Sequence, residues 1–357
     1  MKKIIALLTV TMLLLTGCSG GRDSAAAIEK YGSDTLKLYN WGEYLGDSVI
    51  ANFERAYGVK VIVEYFDSNE MMYTKLQAGD SYDVLVPSDY MIERLIKNNM
   101  LQPLDHTLIP NMDELVPSLR TLPYDVGNVY SVPYFWGSVG LVYNKNNVPR
   151  EVIEEKGFEI LKDTDYAGEI YMYDSERDSF MVAFKALGYS MNTENPAEIE
   201  AAFQWLKELN NTMEPDYVTD QVIDGMINGN KDIAVVYNGD AVVILSENEE
   251  MDFYMPKEGT NIFSDAMVIP ANAANPLLAH EFINYVLTYD ASYDNSATVG
   301  YTSSNQQVVD DMIRDGGDFA ENPAYIPRSD YEKDEVFEDN EVLKEKLAEL
   351  WIKVKAS

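Results

Sequence analysis

The side chains of this 357-residue chain best placed to do chemistry are aromatic and acidic. Tyr39-Asn40-Trp41-Gly42-Glu43-Tyr44 stands where a short apolar run (36–39) gives way to Val49, Ile50, Phe53, Ala56 and Tyr57 at helical spacing. Trp41 and Tyr44, at the end of a strand and the mouth of an α/β sheet, either face a ligand or fill the strand–helix joint. Phe66, Asp67, Ser88 and Tyr90 fall at equivalent strand ends further on. Catalytic alternatives fare poorly. The histidines, His106 and His280, have no second His, Cys or carboxylate at ligand spacing, so no metal site is expected. No nucleophile elbow, phosphate-binding loop or dinucleotide glycine fingerprint occurs. Asp174 and Asp178 share one turn, whereas a glycosidase dyad flanks a cleft. Nothing in the pattern demands an enzyme, and no cofactor is expected.

The elements that would position these residues alternate. Strand 36–39 leads to a helix over 47–57 with Gly58 as its C-cap, then strand 59–65 and a helix over 69–78 with Ser68 as its N-cap. Strand 82–86, the turn at Pro87-Ser88-Asp89-Tyr90 and a helix over 91–98 complete the set. This rhythm predicts a mostly parallel α/β sheet whose ligand crevice lies off the carboxyl ends of the strands. Two β-rich runs in 129–143 meet at Trp136-Gly137-Ser138, which suits a strand crossing between lobes. A second α/β set follows: strand 169–173, helix 179–187, helix 196–210, and strand 233–237 before Asn238-Gly239-Asp240 and another helix. Residues 259–270 form a return strand, followed by helix 277–287, and a charged amphipathic helix over 340–354 ends the chain.

The N-terminus carries Lys2 and Lys3, an apolar run over 4–15 and then Leu15-Thr16-Gly17-Cys18. The apolar segment is shorter than the ~18 residues that cross a bilayer, so it is a secretory signal. Leu-Thr-Gly-Cys resembles the bacterial lipobox, which implies cleavage and lipidation at Cys18 and a tether to the outer face of a membrane. Cys18 is the single cysteine, which excludes any internal disulfide or cysteine metal site. Ser19 to Ser33 reads as a flexible stalk. Without Lys2 and Lys3, 25 of the 27 basic residues remain against 60 acids, a net charge of −35. That excludes a nucleic-acid footprint and attracts cations at long range.

In order along the chain, residues 39–44, Asp67-Ser68-Asn69-Glu70, residues 82–88, Val132-Pro133-Tyr134-Phe135-Trp136-Gly137, Tyr237-Asn238-Gly239, Pro256-Lys257-Glu258-Gly259 and Val299-Gly300-Tyr301 resemble the bacterial spermidine/putrescine-binding proteins. These are the solute receptors of ABC-type polyamine importers. The resemblance runs from Leu36 to about Val308 and loosens thereafter. It implies two α/β lobes joined by crossing strands, a periplasmic-binding-protein-like fold that closes on ligand by hinge motion. The implied layout is a signal over 1–17, a lipidated linker over 18–34, a first lobe of 35–138 plus 266–310, and a second of 139–265 plus 311–357. Position by position it implies Trp41, Tyr44, Ser88 and Tyr90 as first-lobe contacts and Asp178 as a second-lobe acid. Tyr237 and Phe263 fall where the family commonly has tryptophan. Asp265 matches the acid for an inner amine, Tyr301 a further wall, and Thr219 falls near a serine contact. Three departures stand out: Ser175 at a position acidic in some relatives, the two lost tryptophans, and Phe337 at a late polar contact. Asp174 or Glu176 could compensate for Ser175, and Asp240 is read as lying outside the pocket. The implied partners are a polyamine, membrane-embedded permease subunits and, through Cys18, the membrane, with the protein itself a monomer. A receptor of this fold for another cationic solute, thiamine-like or ferric, and a sensory or structural lipoprotein are the alternatives.

Overall fold

The structure, a computed structural model, describes residues 24–328 and 331–357. The expected signal and the lipidation site Cys18 lie outside the described residues. The chain opens on α1 (Ser24–Tyr31), then β1 (Thr35–Trp41), α2 (Val49–Tyr57), β2 (Lys60–Phe66), α3 (Asn69–Gln77), β3 (Val84–Leu85) and α4 (Asp89–Lys97). After several short 3₁₀ turns come β4 (Ser131–Asn144), α5 (Arg150–Lys156), β5 (Ile170–Tyr173), α6 (Glu176–Ala186) and α7 (Pro196–Met213). Next are β6 (Asp216–Val218), α8 (Gln221–Ile227), β7 (Ile233–Tyr237), α9 (Asn238–Glu247), β8 (Met251–Tyr254) and β9 (Ile262–Val268). The chain closes with α10 (Pro276–Val286), α11 (Tyr289–Val299), β10 (Thr302–Ser303), α12 (Gln306–Ile313) and α13 (Glu341–Lys355).

Local chemistry sets many of these boundaries. Ser68 caps α3 by accepting from the Met71 N–H, and Gly58 ends α2 in the left-handed region at φ 68°. Residues 24–31, read from sequence as part of a stalk, instead form α1. Its alanines favour helix, Ala27 and Tyr31 are buried, and the Tyr31 hydroxyl donates to Glu281 on α10 at 3.0 Å. A contact 250 positions away in the chain holds this helix down, and local composition cannot reveal it.

Strand β1 pairs parallel with β2 and β3, and β5 pairs parallel with β6 and β7. Both sets converge on β4, whose fourteen residues are all buried. Its first half (131–138) runs antiparallel to β9, and residues 139–143 run antiparallel to β7. One strand therefore belongs to both α/β halves, with the changeover at Gly137-Ser138-Val139. Strand β9 extends the first set by pairing with β3 as well. The strand ends that carry the candidate site residues thereby converge on the crossing between the halves.

Two contacts fix the changeover. Asn238, fully buried, accepts from the Ser138 N–H and donates to Thr302 and to the Ala324 carbonyl. A Cβ on Gly137 would lie 2.0 Å from the Asn238 amide oxygen and 2.6 Å from the Phe263 ring, so only glycine fits there. Helix α13 lies on the second half, with its Trp351 edge-on to Tyr217 at 5.0 Å. Asp339, just before it, pairs with the buried Arg94 of α4 at 2.8 Å and so ties the chain end to the first half.

Candidate functional site

In the first half, β1 delivers Trp41 beside Phe66 of β2, the two rings 4.4 Å apart. The buried Trp41 Nε1 has no hydrogen-bond partner. The loop after β1 turns Tyr44 inward, where the Tyr134 hydroxyl donates to its carbonyl at 2.6 Å. The Tyr44 hydroxyl donates in turn to Asp265 on β9 at 2.7 Å. Ser88 bridges to the Asp265 backbone, and its hydroxyl also bears on that carboxylate. Asn69 orders this wall by donating to the Ser88 and Tyr90 hydroxyls, each at 3.1 Å.

The second half contributes Tyr237 at the end of β7 and Asp178 in the first turn of α6. Tyr237 packs on Tyr173 at 4.9 Å and on Phe263 at 5.3 Å, and its hydroxyl interacts with Asp178. Phe263 meets Tyr301 at 5.8 Å, and Tyr301 meets Tyr44 at 5.4 Å. A continuous chain of rings thus runs Tyr44, Tyr301, Phe263, Tyr237, Tyr173, with Asp265 at one end and Asp178 towards the other. The rings touch one another and form a continuous aromatic wall. An open cavity of about 410 Å³ lies elsewhere, between α7 and α13.

Burial governs the electrostatics. It pushes Asp265 up to about 6, with the Ser88 and Tyr44 hydroxyls pulling it back. Burial also raises Asp178, opposed by Ser175, Tyr237 and the charge of Arg177. Asp89, held by the N–H groups of Tyr90 and Ser264, is driven by burial to about 7, and neighbouring Asp265 adds to the rise. Burial lifts Tyr44, Tyr237 and Tyr301 well above the phenol range, so these hydroxyls stay neutral donors. One oxygen each of Asp178 and Asp265, Oδ1 in both, is buried with no hydrogen-bond partner. A buried carboxylate oxygen left in this way is costly, and an ammonium group would satisfy it.

The expected site residues do not all behave alike. Tyr44, Ser88, Asp178, Tyr237, Phe263, Asp265 and Tyr301 converge, while Trp41 sits further out against Phe66. Tyr90 bonds Asn69 and stacks under Arg177, whose guanidinium carbon is 3.8 Å from the ring centre and 5.0 Å from that of Phe337. Phe337 is therefore the far side of a cation sandwich rather than a polar contact. Thr219 lies in an exposed turn with its hydroxyl on Gln221 at 3.0 Å, and joins none of the ring or carboxylate contacts. Ser175 caps α6 by accepting from the Asp178 N–H at 3.3 Å. Asp174 faces α13 and bonds Trp351 and Lys355, so it does not stand in for an acid at 175.

Asp240, placed outside the pocket from sequence, instead accepts from Tyr173 at 2.6 Å and Tyr301 at 3.2 Å. Tyr173, Asn69 and Asp240 were missed. The first ends a strand and the third follows one, so the strand-end rule that singled out Trp41 and Ser88 applies to both.

The family description "bacterial extracellular solute-binding protein" matches residues 48–327. The chain is a bacterial extracellular solute-binding protein. Spermidine/putrescine-binding periplasmic protein 1 of Haemophilus influenzae is 31% identical over 347 residues, 95% of this chain and 95% of that protein. A Streptococcus pneumoniae spermidine/putrescine ABC transporter substrate-binding protein, solved with calcium and HEPES, superposes with a TM-score of 0.77 at 32% identity, covering 91% of this chain and 99% of that one. A Treponema pallidum lipoprotein superposes with a TM-score of 0.78 at 28% identity, covering 90% and 99% respectively. The binding protein has the two-lobed α/β fold of periplasmic binding proteins, and among the described residues no helix is long and apolar enough to cross a membrane.

Proposed function

We propose that this binding protein captures a polyamine, spermidine or putrescine or both, and delivers it to the membrane-embedded permease of an ABC importer. The observation that carries the reading is the buried pair Asp178 and Asp265, one on each half, each with an unpartnered oxygen beside a chain of aromatic rings. A polyamine is an apolar chain with separated positive charges, and removing each ammonium from water costs several kcal/mol. Rings face the methylenes and the charges, each cation over a ring contributing about 0.5–2 kcal/mol. With two carboxylates added, about −8 kcal/mol, the micromolar level, is within reach. Acids on both halves favour the closed state over the open one, which is the differential affinity that closure requires.

In this reading Trp41, Tyr44, Ser88, Tyr90, Asp178, Tyr237, Phe263, Asp265 and Tyr301 line the site, with Thr219 at its rim at most. The lobes divide near residue 138 and at the start of β9 rather than at 265, which keeps Asp265 with the first half; the protein works as a monomer, and Cys18 carries the lipid that holds it outside the cytoplasm. The relatives support this by name: two are spermidine/putrescine-binding and one is a lipoprotein. Thermal unfolding with spermidine, putrescine, thiamine and ferric salts tests the ligand class. A polyamine at a thousandfold excess over Kd stabilises by about 4 kcal/mol. No shift with any polyamine would refute the proposal.

A further inference from the structure

Asp240 is the third residue after β7 and stands in the first turn of α9. Its two oxygens accept from two different walls of the ring chain, Tyr173 at 2.6 Å and Tyr301 at 3.2 Å. The start of α9 is pressed against the second wall, since a Cβ on Gly239 would lie 2.2 Å from the Tyr301 ring. Each wall also leads to one of the two acids already described. Tyr301 packs on Tyr44, the donor to Asp265, and Tyr173 packs on Tyr237, which interacts with Asp178. Asp240 therefore sits one ring away from both.

A carboxylate is an expensive choice for a prop. Two tyrosine hydroxyls need only acceptors, and an amide oxygen would serve without a buried charge. Burial instead pushes Asp240 up to about 6, with the hydroxyls of Tyr173 and Tyr301 opposing the rise and the charge of Asp220 adding to it. Among the described residues no Lys or Arg within ion-pair distance offsets Asp178, Asp240 or Asp265. Arg177 acts on Asp178 only at a distance, with its guanidinium stacked on Tyr90. The Asp240 side chain is half-buried, so it is not wholly enclosed. A diamine supplies two positive charges to a ring-lined site with three acids. A triamine supplies three.

We propose that Asp240 is a third ammonium-binding carboxylate of this site, which makes a triamine rather than a diamine its matched ligand. The inference rests on the polyamine reading above and deepens it. Titration calorimetry of the wild type and of Asp240→Asn with spermidine and with putrescine tests it. The spermidine-to-putrescine affinity ratio should fall about tenfold in the variant, the scale of one charge-assisted hydrogen bond. An unchanged ratio, whether both affinities drop together or neither moves, would mean that Asp240 only props the two tyrosines and would overturn the inference while leaving the polyamine reading intact. Wild-type protein that binds neither amine would remove both.

A measurement on the wild type alone guards against a variant that fails to fold. At pH 6, calorimetry in two buffers of different ionisation enthalpy gives the protons released on binding. Asp265, raised by burial to about 6, contributes with either ligand, and Asp240, raised to about 6, adds to the release only when a third ammonium reaches it. Greater release with spermidine than with putrescine supports the proposal, and equal release overturns it.

Discussion

Replacing Asp265 with asparagine should move binding and ligand-free stability in opposite directions. The side chain is 6% exposed, its Oδ2 holds the Tyr44 hydroxyl at 2.7 Å, and its Oδ1 has no partner. Asparagine is nearly the same shape and can still accept from Tyr44, but it offers an ammonium no charge. Removing one partner of a buried, hydrogen-bonded charge pair costs about 2–5 kcal/mol. Putrescine affinity should therefore fall by about thirtyfold or more. The ligand-free protein should gain. Burial raises Asp265 to about 6 in the folded state, above its ordinary unfolded value. The folded protein then holds a proton that the unfolded chain has released, so the group disfavours folding increasingly as pH rises from about 4 to 6. A two-unit shift corresponds to about 3 kcal/mol at pH 7, an upper bound on the gain because the amide N–H₂ must itself find an acceptor. Urea unfolding without ligand should show Asp265→Asn more stable than wild type at pH 7, with the gain gone by pH 4. Titration calorimetry supplies the binding half. If the variant binds putrescine within threefold of wild type, or loses no more than Asp240→Asn does, Asp265 is not an ammonium-binding acid and the reasoning fails.

Polyamine affinity of the wild type should weaken as pH falls below about 6, because protons compete with the ligand for Asp265 and Asp178, both raised by burial; calorimetry from pH 7.5 to 5 checks this. Tyr44→Phe removes one donor to Asp265 and should lower affinity by less than Asp265→Asn while moving the onset of that pH dependence to higher pH, since the hydroxyl helps keep the carboxylate charged. Gly137→Ala should destabilise the fold by about 1–3 kcal/mol or more, because its Cβ would overlap Asn238 and Phe263 at the strand crossing, and thermal unfolding measures this. The formal charge of −33 should draw the polycation in, so the association rate in stopped-flow Tyr and Trp fluorescence should fall as NaCl rises from 20 to about 150 mM. A rate indifferent to salt would argue against steering.

What the amino-acid order determined by itself was whatever depends on near neighbours. The Ser68 cap, the Gly58 terminus and the alternation of β1, α2, β2 and α3 follow from residues within one or two turns of each other. Strand ends then marked Trp41, Ser88 and Tyr90 as facing a crevice, because a parallel sheet opens its carboxyl edge whatever the rest of the chain does. Only the tertiary structure decided which of those residues meet. Tyr44 and Asp265 are 221 positions apart, Tyr31 and Glu281 are 250 apart, and nothing local pairs them. The same blindness hid the bonds of Asp240 to Tyr173 and Tyr301, 67 and 61 positions away, and made a docked helix read as a stalk. Local propensity acts through covalent neighbours, whereas burial and hydrogen bonding act through space, and the site is built from the second kind.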